Sequence, residues 1–199
     1  TLWITAVSLV FAVVLGLLFC ALRLSKYKVL HAITRVYLWV IRGTPVIVQA
    51  FMIYFGIPKL LGFTMPVEVA SIITLTLNAG AYLSEIFRSG IMSIDNGQFE
   101  AGRSLGFNYS QTMFYIVMPQ AFKNVLPALG NEFIGLLKET SVAGYIAIQD
   151  LTKGADIIRS RTYSAFMPLI AAALIYLVLV MVFTFFVQKL ERRLRNSDH

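Results

Sequence analysis

Charge is scarce in this chain of 199 residues. Only 14% of them are Asp, Glu, Lys or Arg, while 58% are hydrophobic. Soluble domains carry ~25% charged residues, so a water-soluble globule does not fit. Cysteine is almost absent. Cys20 lies alone in an apolar run, which excludes an internal disulfide and a cysteine zinc cluster and leaves a small buried hydrophobe. The two histidines, His31 and His199, lie at span ends, and neither a Ser–His pair nor an HExxH motif is present, which argues against an intramembrane enzyme. No cleavable signal pattern opens the chain. It starts at Thr1, already inside an apolar segment, so a trimmed or disordered N-terminus is expected.

Long apolar runs are what the chain has instead. A spanning helix needs about 20 mostly apolar residues. Five segments meet or approach that length, at approximately 3–22, 36–61, 67–93, 124–149 and 165–188. The first and last are free of charge over their cores, and Trp3 sits where an interfacial aromatic belongs. The fourth is the most polar. The expected fold is all-α and integral to a membrane, one transmembrane domain over 1–199 with five helices. Basic residues orient it. The regions around 23–42 and 88–123 and the C-terminal tail share one side and hold twelve of the seventeen Lys and Arg, whereas Lys59, Lys153, Arg159 and Arg161 lie opposite. Positive residues favour the cytoplasm, so the N-terminus is expected outside and the C-terminus inside. The net charge of +7 then reflects span ends beside anionic lipid rather than nucleic-acid binding.

The longest cytoplasmic loop, 95–120, reads as short helices. Ala101 and Leu105 are four apart, as are Gly102 and Gly106, giving a narrow face of small residues suited to close contact, with a partner or with the protein's own surface. Glu100 sits early in that helix, favourably for its dipole.

Polar residues inside the spans are functional candidates because a bilayer makes them costly. In the third span Asn78, Tyr82, Glu85 and Ser89 share one stripe. Glu85 faces either a cavity or Arg88, three residues on. In the fourth, Glu132 and Glu139 share a line, with Asn131 and Lys138 beside it and Ser141 just beyond. Pro127, Gly130 and Gly135 make this helix easy to break, and transporters place substrate sites at such breaks. Lys138 either neutralises one glutamate or meets a substrate. In the second span Pro45 is expected to kink the helix near Thr44, Gln49 to line the pathway, and Arg42 to snorkel to the cytoplasmic boundary.

The spacing of Glu100, Ala101, Gly106, Ile116 and Pro119 resembles the loop that marks permease subunits of ATP-binding-cassette importers, with Gly102 where alanine is usual and Met118 where leucine is usual. "RGTPVIVQ" (42–49), "AYLSEIFRSGI" (81–91), "GQFEAG" (97–102), "MPQAF" (118–122), "LPALGNEF" (126–133) and "LLKETS" (136–141) resemble the polar amino acid branch, of the histidine, glutamine and arginine type, over nearly the whole chain. The resemblance implies a bacterial inner-membrane subunit that is not itself an enzyme. A second permease copy, in a homo- or heterodimer, would complete the pathway. Separate ATPase subunits would carry ATP and Mg, and an extracytoplasmic solute-binding protein would deliver the amino acid. Glu100, Ala101, Gly102, Leu105 and Gly106 become the ATPase-coupling helix. The lack of any GxxxxGK[ST] phosphate loop agrees, since energy must then come from another chain. Gln49, Asn78, Tyr82, Glu85, Asn131, Glu132, Lys138, Glu139 and Ser141 are the expected pathway residues. Three intramembrane carboxylates against one lysine favour a basic amino acid, with glutamine next. The alternative is a carrier or channel driven by ion gradients without an ATPase, but the paired repeat such a carrier would show is missing.

Overall fold

The computed structural model describes residues 1–146 and 148–196, and every regular element among them is helical. Helix α1 (Leu2–Leu24) and helix α5 (Val67–Met92) form the central pair. α1 turns Thr5, Ser8, Ala12, Gly16 and Cys20 inward, three or four residues apart, so one stripe of the helix is small. A Cβ placed on Gly16 would stand 2.8 Å from the Leu83 Cβ, and one on Gly80 would stand 2.9 Å from Leu15 Cδ2. Lipid tails are as apolar as leucine, so helices in a bilayer are held by this kind of close packing rather than by escape from water. Contacts advance together along both helices, from Ser8 with Thr76 through Leu15 with Gly80 and Gly16 with Leu83 to Arg23 with Glu85. α1 and α5 therefore run parallel.

Between them the chain forms α2 (Lys28–Gly43), α3 (Val46–Phe51), a wide turn over Met52–Gly56 and α4 (Ile57–Leu61). The single helix expected over 36–61 is instead broken. α2 starts eight residues earlier, and the axis turns by 105° between Lys28–Gly43 and Val46–Leu61. Pro45 is the cause: its ring excludes helical geometry from Thr44, and it has no N–H to carry the ladder across. Tyr37 ties α2 to the central pair by donating to the Leu77 carbonyl at 2.6 Å and stacking on Phe19 with ring centroids 4.0 Å apart.

After α5 come α6 (Gly97–Ser104), α7 (Tyr109–Thr112), a second wide turn over Met113–Val117 and α8 (Met118–Glu139). α8 packs on α5 where Val125 fills the space left by Gly90, and on α10 (Phe166–Asn196) where a Cβ on Gly130 would come within 2.5 Å of Val187. α8 stops at Glu139, short of the expected 149. Thr140 turns its hydroxyl back to the Leu137 carbonyl at 2.7 Å, and the chain tightens into a 3₁₀ helix over Thr140–Ile146. Ile146 anchors that segment beside Ala50, Ile53 and Ala70. Helix α9 (Leu151–Thr162) is an element that the sequence reading missed. Asp150 caps it by accepting the Lys153 N–H at 2.7 Å, and Tyr176 of α10 donates to the same carboxylate at 3.3 Å.

Among the described residues three helices, α1, α5 and α10, are long and apolar enough to cross a membrane, and α2 with Val46–Leu61 makes a fourth if the bent pair is one span. α8 falls short by composition, since it carries Lys123, Glu132, Lys138 and Glu139.

The α1–α5 contact yields a direct test. Gly16→Val drives a branched side chain into the root of Leu83, so the purified protein should lose about 1–3 kcal/mol of thermal stability. Gly154→Ala, with nothing within 4 Å of the new methyl group, should leave the melting temperature level or raise it. Equal melting temperatures for Gly16→Val and the parent would remove the contact from its central place.

Candidate functional site

Charge gathers where α1, α2 and α5 meet. The Glu85 carboxylate accepts from Arg23 Nη1 through one oxygen and from Arg88 Nε, at 3.1 Å, through the other. Glu85 thus makes both the pair with Arg88 weighed from sequence and a second pair with Arg23. The second crosses 62 positions and left no local signal. Tyr82, one turn earlier, lies beneath the guanidinium of Arg42, whose carbon stands 5.1 Å from the ring centroid. Arg23, Arg35, Trp39, Arg42, Tyr82 and Glu85 line an open cleft of 520 Å³.

Arg42, expected to snorkel, rests its guanidinium on an aromatic ring of α5. Tyr82 lies ten residues before the end of α5, roughly 15 Å along a helix rising 1.5 Å per residue. The Arg42 guanidinium lies on the Tyr82 ring, about 15 Å along α5 from the loop end of that helix. Two-thirds of α5 precedes that point, so the cleft opens in the half of the bundle nearer the loop.

Gln49, expected along the pathway, lies at the α2–α3 break. It is 7% exposed, and its Nε2 donates to the Ile41 carbonyl at 2.7 Å, the Thr44 carbonyl at 3.0 Å and the Thr44 hydroxyl at 2.9 Å. It splints the α2–α3 break by serving carbonyls that Pro45 leaves without a helical donor. Its Oε1 is buried with no hydrogen-bond partner. Asn78 is buried on α5.

The second group lies on α8 and the turn after it. Glu132 and Glu139 are half-buried, Asn131 and Lys138 are exposed, and neither glutamate has a hydrogen-bond or ion-pair partner among the described residues, although Lys138 adjoins Glu139. Ser141 lines a separate cleft of 440 Å³ with Tyr145, Lys153, Asp156 and Arg159. There Arg159 at 2.6 Å and Lys153 at 3.4 Å bond the Asp156 carboxylate and hold its pKa below the ordinary value of 3.8. The proposed pathway residues thus fall into at least two places: Tyr82 and Glu85 in one cleft, Ser141 at another.

The 97–120 stretch is a compact unit. Gly106 has φ +81°, a backbone only glycine adopts without strain, and the Phe107 N–H returns to the Gly102 carbonyl at 3.0 Å to close α6. Asn108 and Gln111 cap α7 reciprocally, each bond 2.9 Å. Gly102 does not lie on an open face. It is buried, and a Cβ there would meet Thr112 Oγ1 at 2.5 Å and Cγ2 at 2.6 Å. Glu100, Ala101 and Leu105 remain exposed, with Leu105, Tyr109, Phe114 and Tyr115 between 65% and 71% accessible.

Residues 8–196 match the family described as the binding-protein-dependent transport system inner membrane component. This chain belongs to that family. It is similar to the arginine transport system permease protein ArtQ of Bacillus subtilis (strain 168), with 41% identity over 100% of this chain and 90% of the relative. It is also similar to a putative glutamine transport system permease protein, GlnP, of Rickettsia bellii (strain RML369-C), with 38% identity over 98% of this chain and 89% of the relative. Among solved structures, an amino acid ABC transporter crystallised with histidines superposes with a TM-score of 0.93 at 42% identity, covering 96% of this chain and 89% of that one. A chain of the inward-facing MetNI methionine ABC transporter superposes with a TM-score of 0.77 at 21% identity, covering 97% and 92%, which shows the shared fold. The chain is thus a multi-pass permease subunit.

The Glu85 bridge predicts non-additivity. Glu85→Gln leaves two guanidiniums without their counter-charge and should cost about 1–3 kcal/mol of stability. Arg23→Gln added to it should cost less than the sum of the two single changes by at least about 0.5 kcal/mol in a double-mutant cycle of thermal unfolding. Strict additivity would mean that Arg23 and Glu85 do not interact.

Proposed function

We propose that this chain is the membrane subunit of an ATP-driven importer of polar amino acids, crossing the membrane five times with its N-terminus outside. Supporting the topology, α1 and α5 run parallel, which requires one net crossing between them; the broken pair α2 and Val46–Leu61 supplies it. α8 and α10 are the remaining two. The charges of α8 tell against a span facing lipid and in favour of one facing a pathway shared with a second permease copy. The 95–120 loop then lies in the cytoplasm together with the C-terminus.

The observation that carries the substrate reading is the pair of half-buried, unpartnered carboxylates, Glu132 and Glu139, on one line of α8. Glu85 is spent on two arginines and drops out of the charge count. Two free carboxylates beside one lysine still favour a cationic group, so a basic amino acid is the leading substrate. The arginine-transport relative supports that choice, and the glutamine-transport relative keeps glutamine next. The cation meets Glu132 or Glu139, with Asn131, Lys138 and Ser141 flanking. Gln49, at the helix break, holds the frame rather than the substrate.

In the loop, Leu105 with Tyr109, Phe114 and Tyr115 offers an apolar surface that water does not favour, and Glu100 stands at its edge. We assign it to a cleft on the ATPase, which binds ATP and Mg and lends its motion to this chain; a solute-binding protein delivers substrate from the other side.

Reconstitution with the ATPase and binding protein tests this. ATP-dependent uptake of arginine or glutamine is the expected result, with no uptake by the permease alone under an ion gradient. Glu139→Gln should lower uptake of arginine at least about tenfold and spare glutamine more. A neutral substrate handled equally by parent and variant would remove the charge argument. Leu105→Asp with Glu100→Lys should release the ATPase from the purified complex; an intact complex with full uptake would refute the docking surface.

A further inference from the structure

α2 has three faces. Leu30, Thr34, Tyr37 and Leu38 turn toward the protein, with Thr34 and Leu38 buried. Val29, Ile33, Val36 and Val40, three or four residues apart, are each at least 53% exposed and form an aliphatic strip suited to lipid. Lys28, His31, Arg35 and Arg42 form a third line at offsets of 3, 7 and 14, and its inner end opens into the 520 Å³ cleft. A charged line beside a lipid strip must face a polar space.

The cleft holds more positive charge than it neutralises. Three guanidiniums, those of Arg23, Arg35 and Arg42, line it with one carboxylate, Glu85, which is also bonded by Arg88. Glu85 satisfies Arg23 and Arg88. Arg35 and Arg42 have no carboxylate or hydrogen-bond partner among the described residues, and Arg42 has only the Tyr82 face. Two forked donors without a counter-charge among the described residues, opening on one cleft, match the planar, bidentate geometry of a carboxylate. Trp39, 84% exposed on the cleft wall, and the Tyr82 ring supply flat surfaces for the rest of a small molecule.

We propose that Arg42 and Arg35 form a binding site for the α-carboxylate of the transported amino acid, on the loop side of the membrane midplane. This deepens the importer reading above and rests on it for the identity of the ligand. The α2 arginines line a cleft to which neither Glu132 nor Glu139 contributes, so the carboxylate site is separate from the acidic pair on α8. Glu85 serves the site indirectly. By neutralising Arg23 and Arg88 it leaves only the two α2 guanidiniums in search of an anion.

Two measurements on the purified permease–ATPase complex in lipid nanodiscs separate this site from the importer reading. The first is phenylglyoxal modification of arginines read by peptide mass spectrometry, with acetate against chloride at equal ionic strength. Acetate should slow modification of Arg42 and Arg35 at least about threefold and leave exposed Arg161 unchanged. Equal rates for all three would overturn the site whatever the substrate is. The second is equilibrium binding of L-arginine and L-argininamide. The acid should bind about tenfold more tightly, the scale of one charge-assisted hydrogen bond. Arg42→Gln should close that gap by weakening the acid alone, and Arg42→Lys should restore part of it. A gap unchanged in Arg42→Gln, or both ligands weakened together, would overturn the assignment. Protection by acetate with no binding of either amino acid would sink the importer's substrate and leave the carboxylate site standing.

Discussion

The close approach of α1 and α5 sets what every other element can reach. Glycine at 16 and 80 lets the two backbones come near enough for Leu15 and Leu83 to occupy the space a Cβ would take. Without water exclusion to drive association, that contact is where the bundle's cohesion begins. Its consequences run downward along the pair. Arg23, in the last turn of α1, reaches Glu85 only because the axes are close, and Tyr37 stacks on Phe19 while bonding a carbonyl of α5 only because both helices present themselves side by side. The position of α2, and so of its arginines, is inherited from two glycines at a distance.

The same geometry redistributes charge. From the sequence, three acidic residues in the spans look equivalent. In space Glu85 is bound by two guanidiniums, while Glu132 and Glu139 have no hydrogen-bond or ion-pair partner among the described residues. A charge at membrane depth that is paired serves structure, and one that is unpaired must be served by water or a ligand. By that rule α8 retains acidic groups to offer and α2 retains basic ones. Both proposals above, a cation at α8 and a carboxylate at α2, start from that difference.

Legibility tracked how local the cause was. α1, α5 and α10 are visible as apolar runs because lipid selects composition residue by residue. The break at Pro45 is visible as a proline, but its 105° turn is not, because the angle depends on Gln49 splinting three acceptors and on Ile146 packing against Ala50. Glu85 with Arg88 is a helical neighbour that spacing reveals; Glu85 with Arg23 is a tertiary event. The loop shows the limit most sharply. Periodicity places Gly102 and Gly106 on one face and cannot say what that face meets. Gly102 meets Thr112 of its own chain, and Gly106 ends the helix with a positive φ, so the face open to a partner is the adjoining one with Leu105. Arg35 carries no local signal beyond its charge, because the cleft it lines is formed by α1, α2 and α5 together.

Glycine at 102, where alanine is usual in the resembling loops, acquires a mechanical meaning from this. An alanine methyl would press on both the hydroxyl and the methyl group of Thr112 and push α6 away from α7. With glycine the two short helices lock, Phe99 stacks on Tyr109 at 6.0 Å, Gln120 bonds Gln98 at 3.2 Å, and Asn124 bonds Ser93 at 3.0 Å. These contacts join the end of α5 to the start of α8 through the loop itself. The loop is thus tied to both helices, and α8 is also the helix that carries Glu132 and Glu139. On the coupling role proposed above, a displacement received at Leu105 would reach Glu132 and Glu139 as rigid-body motion of α8, without a chain of side-chain rearrangements through the membrane.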